Sequence, residues 1–266
     1  MTSPTLPRCS TLHGTASVDV GEGEPLVLIH GVGLRLDAWA PQVSALAATH
    51  RVIAVDLPGH GASSPIAAGS GLPVFVDWFA EALDDLDVGA ANVAGHSLGA
   101  LIAGGYTITH PSAVRRVALL NPIHRRDLAA SVAVKARVAE IETGRFDSNA
   151  PLTRWFGNEC VASETYQLVK RWLADVDISA YATAYNAFAE GDDGYADRWP
   201  EVRCPALFLT GGGDPNSTPQ MARDLAAETP LGEARIIADH RHMVNMTAPD
   251  EVTAALQQWL TRGLTT

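Results

Sequence analysis

The chain has 266 residues, 47% of them hydrophobic and 18% charged, with a formal net charge of −11. That is enough chain to cover both faces of a sheet, and the acidity excludes a general nucleic-acid binder and weighs against a polyanionic substrate. Cys9, Cys160 and Cys204 lack metal-ligand spacing, no signal peptide opens the chain, and no apolar run approaches a membrane span. The expectation is a cytoplasmic protein with no metal, no cofactor, no membrane partner and no nucleic-acid partner; a homo-oligomer is compatible with it.

In chain order, Leu26–His30 reads as a buried strand ending in the loop Gly31-Val32-Gly33, and Asp37–Ala48 as a helix. Arg51–Val55 is a second strand, followed by the loop Asp56-Leu57-Pro58-Gly59-His60-Gly61-Ala62-Ser63. Val74, Phe75, Trp78, Phe79, Ala82, Leu83 and Leu86 repeat at helical spacing, which predicts an amphipathic helix on a sheet. Ala91–Ala94 is a strand, Ala100–His110 a helix, and Val114–Leu120 another strand.

From His124 to about Arg198 the pattern is helical. Leu128, Val132, Val138 and Ile141 mark one helix, Ser163 caps a second, and Ala180, Tyr181, Ala184, Tyr185 and Phe188 line a third that ends at Gly191. Strands resume at Ala206–Thr210 and Arg235–Ile237, with helices starting near Pro219 and Pro249. The alternation predicts an α/β fold with a mostly parallel central sheet and helices on both faces. A core of 1–121 and 200–266 is expected, with a helical cap, 122–199, inserted after the sixth strand. The ends, 1–9 and 263–266, are expected to be frayed.

Chemistry concentrates in Gly95-His96-Ser97-Leu98-Gly99, set between a strand and a helix. A turn that tight strains the serine backbone and presents its hydroxyl at the tip of the sheet. A serine hydroxyl needs a base within reach, and the base needs an orienting acid. Asp214, just past a strand and three glycines, supplies the acid; its competing reading is a turn residue before Pro215. Two histidines, His240 and His242, follow the last strand and both remain candidates for the base.

The His30-Gly31-Val32 loop, the Asp-Leu-Pro-Gly-His-Gly-Ala-Ser loop, the Gly-His-Ser-Leu-Gly elbow, Asp214 and His242 stand in the order of the α/β-hydrolases, which this chain resembles over nearly its whole length. Its cap and tail are most similar to 3-oxoadipate enol-lactonases and bacterial esterases. The resemblance implies Ser97, Asp214 and His242 as the catalytic triad, since His242 lies seven residues before Pro249. It places His240 at the entrance or on a loop carbonyl, and makes the backbone N–H groups of Val32 and Leu98 the oxyanion hole. His30, His60 and His96 are then structural.

Trp155 and Tyr185 are the substrate contacts singled out from a cap whose aromatics are mostly core. Arg125, Arg126 and Arg154 read as solvated surface or as partners of a substrate carboxylate. The implied function is hydrolysis of a small carboxylic ester or lactone through an acyl-enzyme. Two alternatives stand beside it: a carbon–carbon bond hydrolase on the same triad, against which His96 weighs, and a hydrolase-fold ligand-binding protein with little turnover.

Overall fold

The computed structural model describes residues 6, 8–11, 13–143, 145–158 and 160–264. Eight strands form one sheet: β1 (Cys9–Ser10), β2 (Ala16–Val20), β3 (Glu24–Ile29), β4 (His50–Val55), β5 (Ala91–His96), β6 (Val114–Leu120), β7 (Ala206–Gly211) and β8 (Gly232–Ile237). Their spatial order is β1-β2-β4-β3-β5-β6-β7-β8. From β4 to β8 every neighbouring pair is parallel, as crossovers through helices require. β2 pairs antiparallel with both β1 and β4.

The helices are α1 (Ala40–Leu46), α2 (Leu72–Asp85), α3 (Leu98–Thr109), α4 (Leu128–Glu142), α5 (Asn149–Phe156), α6 (Glu164–Asp175), α7 (Ile178–Glu190), α8 (Pro219–Glu228), α9 (Val244–Thr247) and α10 (Pro249–Leu260). Because strand side chains alternate, β3 serves two cores. Leu26 and Leu28 pack with Val43 and Leu46 of α1 and Leu256 and Trp259 of α10. Val27 and Ile29 pack with Phe75 and Phe79 of α2 and Ile102 of α3. Among the described residues no helix is long and apolar enough to cross a membrane.

Several expectations change. The N-terminal segment is not frayed throughout: Cys9 pairs with Ser17 in β1, while residues 1–5, 7, 265 and 266 lie outside the described residues. Arg8 anchors this edge through Asp37 and, at 3.2 Å, through the buried Asp56. The helix expected over 37–48 is split into a 3-10 turn, Leu36–Trp39, and α1, where Pro41 fits a first turn that needs no N–H donor. Between β6 and β7 lie α4 to α7. On α4 the apolar stripe is rotated from the expected one: Val134, Val138 and Ile141 are buried on the side packed against α7, whereas Leu128 and Val132 are 81% and 60% exposed. Ser163 does cap α6, accepting from the Tyr166 N–H.

Strand β5 and helix α3 approach too closely for any side chain between them. A Cβ on Gly95 would lie 1.9 Å from the Gly99 carbonyl oxygen, and one on Gly99 would lie 2.3 Å from that of Ile29. Neither contact involves a side chain that could turn away. Gly99→Ala is therefore expected to lower unfolding free energy by at least about 2 kcal/mol. Urea unfolding at unchanged slope measures it; a loss below about 0.5 kcal/mol would show that helix and strand separate freely.

Candidate active site

Ser97 stands between β5 and α3 with φ 57° and ψ −116°, a conformation that costs a non-glycine residue roughly 1–3 kcal/mol. Backbone hydrogen bonds hold it there. Its N–H donates to Leu120 at 2.9 Å, and its carbonyl accepts from Ala100 at 2.9 Å and Leu101 at 3.2 Å. Among the described residues the Ser97 hydroxyl makes no hydrogen bond, so it is free to rotate toward a base or a substrate.

Asp214 and His242 come from separate loops that the glycines after β7 bring together. A Cβ on Gly211 would lie 2.3 Å from the Arg241 carbonyl oxygen, and the Gly213 N–H donates to His240 at 2.9 Å. The result is a hydrogen bond of 2.6 Å between His242 Nδ1 and Asp214 Oδ2. Two further donors fix the carboxylate: the Asn216 N–H to Oδ1 at 2.9 Å and Asn121 Nδ2 to Oδ2 at 2.8 Å. Burial alone would raise the Asp214 pKa. The neighbouring imidazole and these hydrogen bonds outweigh it and hold the carboxyl below its ordinary value.

Asn121 was not picked out by sequence. It has a positive φ of 49° at the end of β6, and its side chain also reaches Thr210 Oγ1 at 3.1 Å.

Of the two positions expected for His240, the loop carbonyl is not the one taken: its Nδ1 lies 2.9 Å from the Thr247 hydroxyl, and the residue lines a groove with Trp155, Arg241 and Cys160. His96 lies under His242, with ring centroids 5.0 Å apart, and its Nε2 donates to the His242 carbonyl at 2.8 Å. Burial keeps it neutral and pushes its pKa down to about 3. His30 donates from Nδ1 to the Gly31 carbonyl and accepts the Leu57 N–H on Nε2. His60 donates to the Pro58 carbonyl. All three are scaffold.

Ser97 and His242 line one cavity with Val32, Asn216 and, from the helical insert, Val134, Arg154, Trp155, Tyr185 and Phe188. Trp155 and Tyr185 thus line the cavity that Ser97 and His242 share. Trp155 stacks on His242, with ring planes 19° apart, and its carbonyl accepts the His242 N–H at 3.2 Å. Arg125 and Arg126 do not line this cavity. Arg125 pairs with Glu228 and, at 2.8 Å, with Asp197, while Arg126 is buried against Asp192 at 2.8 Å. Among the described residues neither the Val32 nor the Leu98 N–H donates a hydrogen bond. Leu98 opens α3, whose positive dipole end faces the same space. A strained hydroxyl, an oriented imidazole and two unused N–H donors can support nucleophilic attack on a carbonyl with stabilisation of its oxyanion.

The buried histidines set an acid limit on the fold. Burial lowers His60 to about 4, His96 to about 3 and His30 well below its usual value. Each therefore binds a proton in the unfolded chain below about pH 6.5 and stays neutral in the folded one. Stability falls as pH drops from about 6.5 toward 4, by about 1.4 kcal/mol per histidine per pH unit. Proton uptake on unfolding near pH 5 is expected to decrease by about one in His60→Gln. Unchanged uptake would mean that His60 is already charged in the fold.

Residues 24–249 match the model of the alpha/beta hydrolase fold family. An (E)-2-((N-methylformamido)methylene)succinate hydrolase of Acinetobacter baylyi is 48% identical over 240 residues, covering 90% of this chain and 91% of that protein. A 2-hydroxymuconate semialdehyde hydrolase of a Pseudomonas species is 41% identical over 106 residues, 38% of each protein. The crystal structure of an enol-lactonase from Burkholderia xenovorans superposes with a TM-score of 0.85 at 26% identity, covering 96% of this chain and 100% of that one. A family match over most of the chain, joined to near-half identity with a relative of the same extent, makes the assignment: the chain belongs to the α/β-hydrolase family.

Proposed function

We propose that the chain hydrolyses a small N-acyl enamine dicarboxylate at its acyl carbon–nitrogen bond, through an acyl-enzyme on Ser97. The observation that carries this reading is the 48% identity, end to end, with a hydrolase named for an N-formyl enamide of succinate. In such a molecule the two carboxylates resist a nucleophile by their charge, which leaves the formyl carbon as the electrophile.

His242 takes the proton of the Ser97 hydroxyl as the oxygen attacks that carbon. Asp214 holds the ring tautomer and stabilises the imidazolium, with Asn121 and the Asn216 N–H keeping the carboxylate in place. The tetrahedral oxyanion sits on the Val32 and Leu98 N–H groups. The imidazolium returns its proton to the departing nitrogen, and the carbon–nitrogen bond breaks. Water, deprotonated by His242, then releases the acyl group as a carboxylic acid and restores Ser97.

The ester or lactone read from the sequence is the less supported bond. The names of the succinate and muconate relatives contain neither, and they favour the class to which the carbon–carbon alternative belongs: this triad acting on a bond other than an ester. The weight placed on His96 against that alternative falls away, because its ring is engaged with the His242 carbonyl and carries no information about the bond cut. Names that end in hydrolase also support turnover over a purely ligand-binding role.

Product analysis on an N-formyl enamine dicarboxylate distinguishes the bonds. Formate and the amine are expected in equal amounts over many turnovers. Carbon–carbon fragments without formate would favour the alternative, and a single turnover would favour a binding protein. Ser97→Ala is expected to lower kcat by at least about 10³-fold with an unchanged circular dichroism spectrum. His242→Ala should be far more damaging than His240→Ala; the reverse ranking overturns the assignment of the base.

A further inference from the structure

Of the three arginines that the sequence offered, only Arg154 faces the Ser97 cavity. It sits on the last turn of α5, next to the tryptophan that stacks on His242. Among the described residues its guanidinium makes no ion pair and no hydrogen bond. The contrast with Arg126 is informative. That side chain is buried, where Arg154 is half-buried, and it is matched by Asp192 and by the carbonyls of Phe188 and Ala189.

The charges around Arg154 do not neutralise it. Burial lowers its pKa and Arg137 of α4 adds a second positive charge to the same effect, while Tyr185 and Tyr181 of α7 and Asp147 act in the opposite direction. The one carboxylate at this site, Asp214, is already committed to His242, Asn121 and Asn216. An unmatched guanidinium in a partly desolvated cavity is costly unless an anion completes it, and its planar fork suits a carboxylate.

We propose that Arg154 is the carboxylate receptor of this site and determines its specificity, pairing with a carboxylate of the substrate while Ser97 attacks the neighbouring carbonyl. This rests on the reading of Ser97 as the nucleophile, but not on which bond the natural substrate presents.

The test compares p-nitrophenyl hydrogen succinate with neutral p-nitrophenyl butyrate, for wild type, Arg154→Met and Arg154→Lys. Wild type is expected to prefer the acid in kcat/KM. Arg154→Met should reduce that preference about 10- to 100-fold, mainly through KM for the acid, and Arg154→Lys should recover part of it. An unchanged preference overturns the proposal, as does a loss shared equally by both substrates, which is the mark of a structural role. If neither ester is hydrolysed, the nucleophile reading is at fault. Calorimetric binding of succinate then decides: at least tenfold weaker binding in Arg154→Met supports the receptor, and equal or absent binding in both proteins overturns it.

Discussion

The site depends on a contact between backbones. At the elbow, β5 and α3 are pressed so closely that Gly95 meets the Gly99 carbonyl, and Gly99 meets the end of β3. That closeness forces the sharp reversal at Ser97 and its positive φ. It also aligns the first N–H groups of α3 with the loop that carries Val32. The strain is local, but the whole parallel sheet resists its relaxation, because Ser97 is hydrogen-bonded to Leu120 on the neighbouring strand.

A second constraint is electrostatic. Three imidazoles, those of His30, His60 and His96, are buried beneath the elbow, and burial holds each of them neutral. His96 donates to the His242 carbonyl while its other nitrogen is buried without a partner, an arrangement that a protonated ring could not tolerate. Buried negative charge is held by converging donors: at Asp214 by His242, Asn121 and the Asn216 N–H, and at Asp56 by Arg8 and the Leu36 and Ala62 N–H groups. The Ser97 cavity thus has a fixed carboxylate behind His242 and the guanidinium of Arg154 in its lining.

Much of this was legible in the sequence because it is written in short-range terms. Strands β3 to β8 are compact apolar runs with turn residues behind them, and the elbow, Asp214 and His242 each follow such a run. What escaped reading depends on partners far away in the chain. β2 is a short strand, second from the edge, whose pairing with β4 no local pattern announces. α5 has eight residues, too few for a period to show. Asn121 acts on a carboxylate 93 positions later. The three arginines were indistinguishable because the acids that occupy Arg125 and Arg126 lie 103 and 66 residues beyond them. Arg154 differs in having, among the described residues, no ion-paired acid.

The hydrogen bond from the His242 N–H to the Trp155 carbonyl joins the helical insert to the loop that carries the imidazole. The cavity beneath it is only about 20 Å³, room for little more than one water. A substrate is therefore accommodated only if side chains of the insert give way, and displacement of α5 itself would pull on the backbone of His242. The insert and the His242 loop are coupled through this bond. An insert transplanted from a relative would change the seat of the imidazole as well as the shape of the roof, so recombination of such segments between family members is constrained by one main-chain bond as much as by substrate fit.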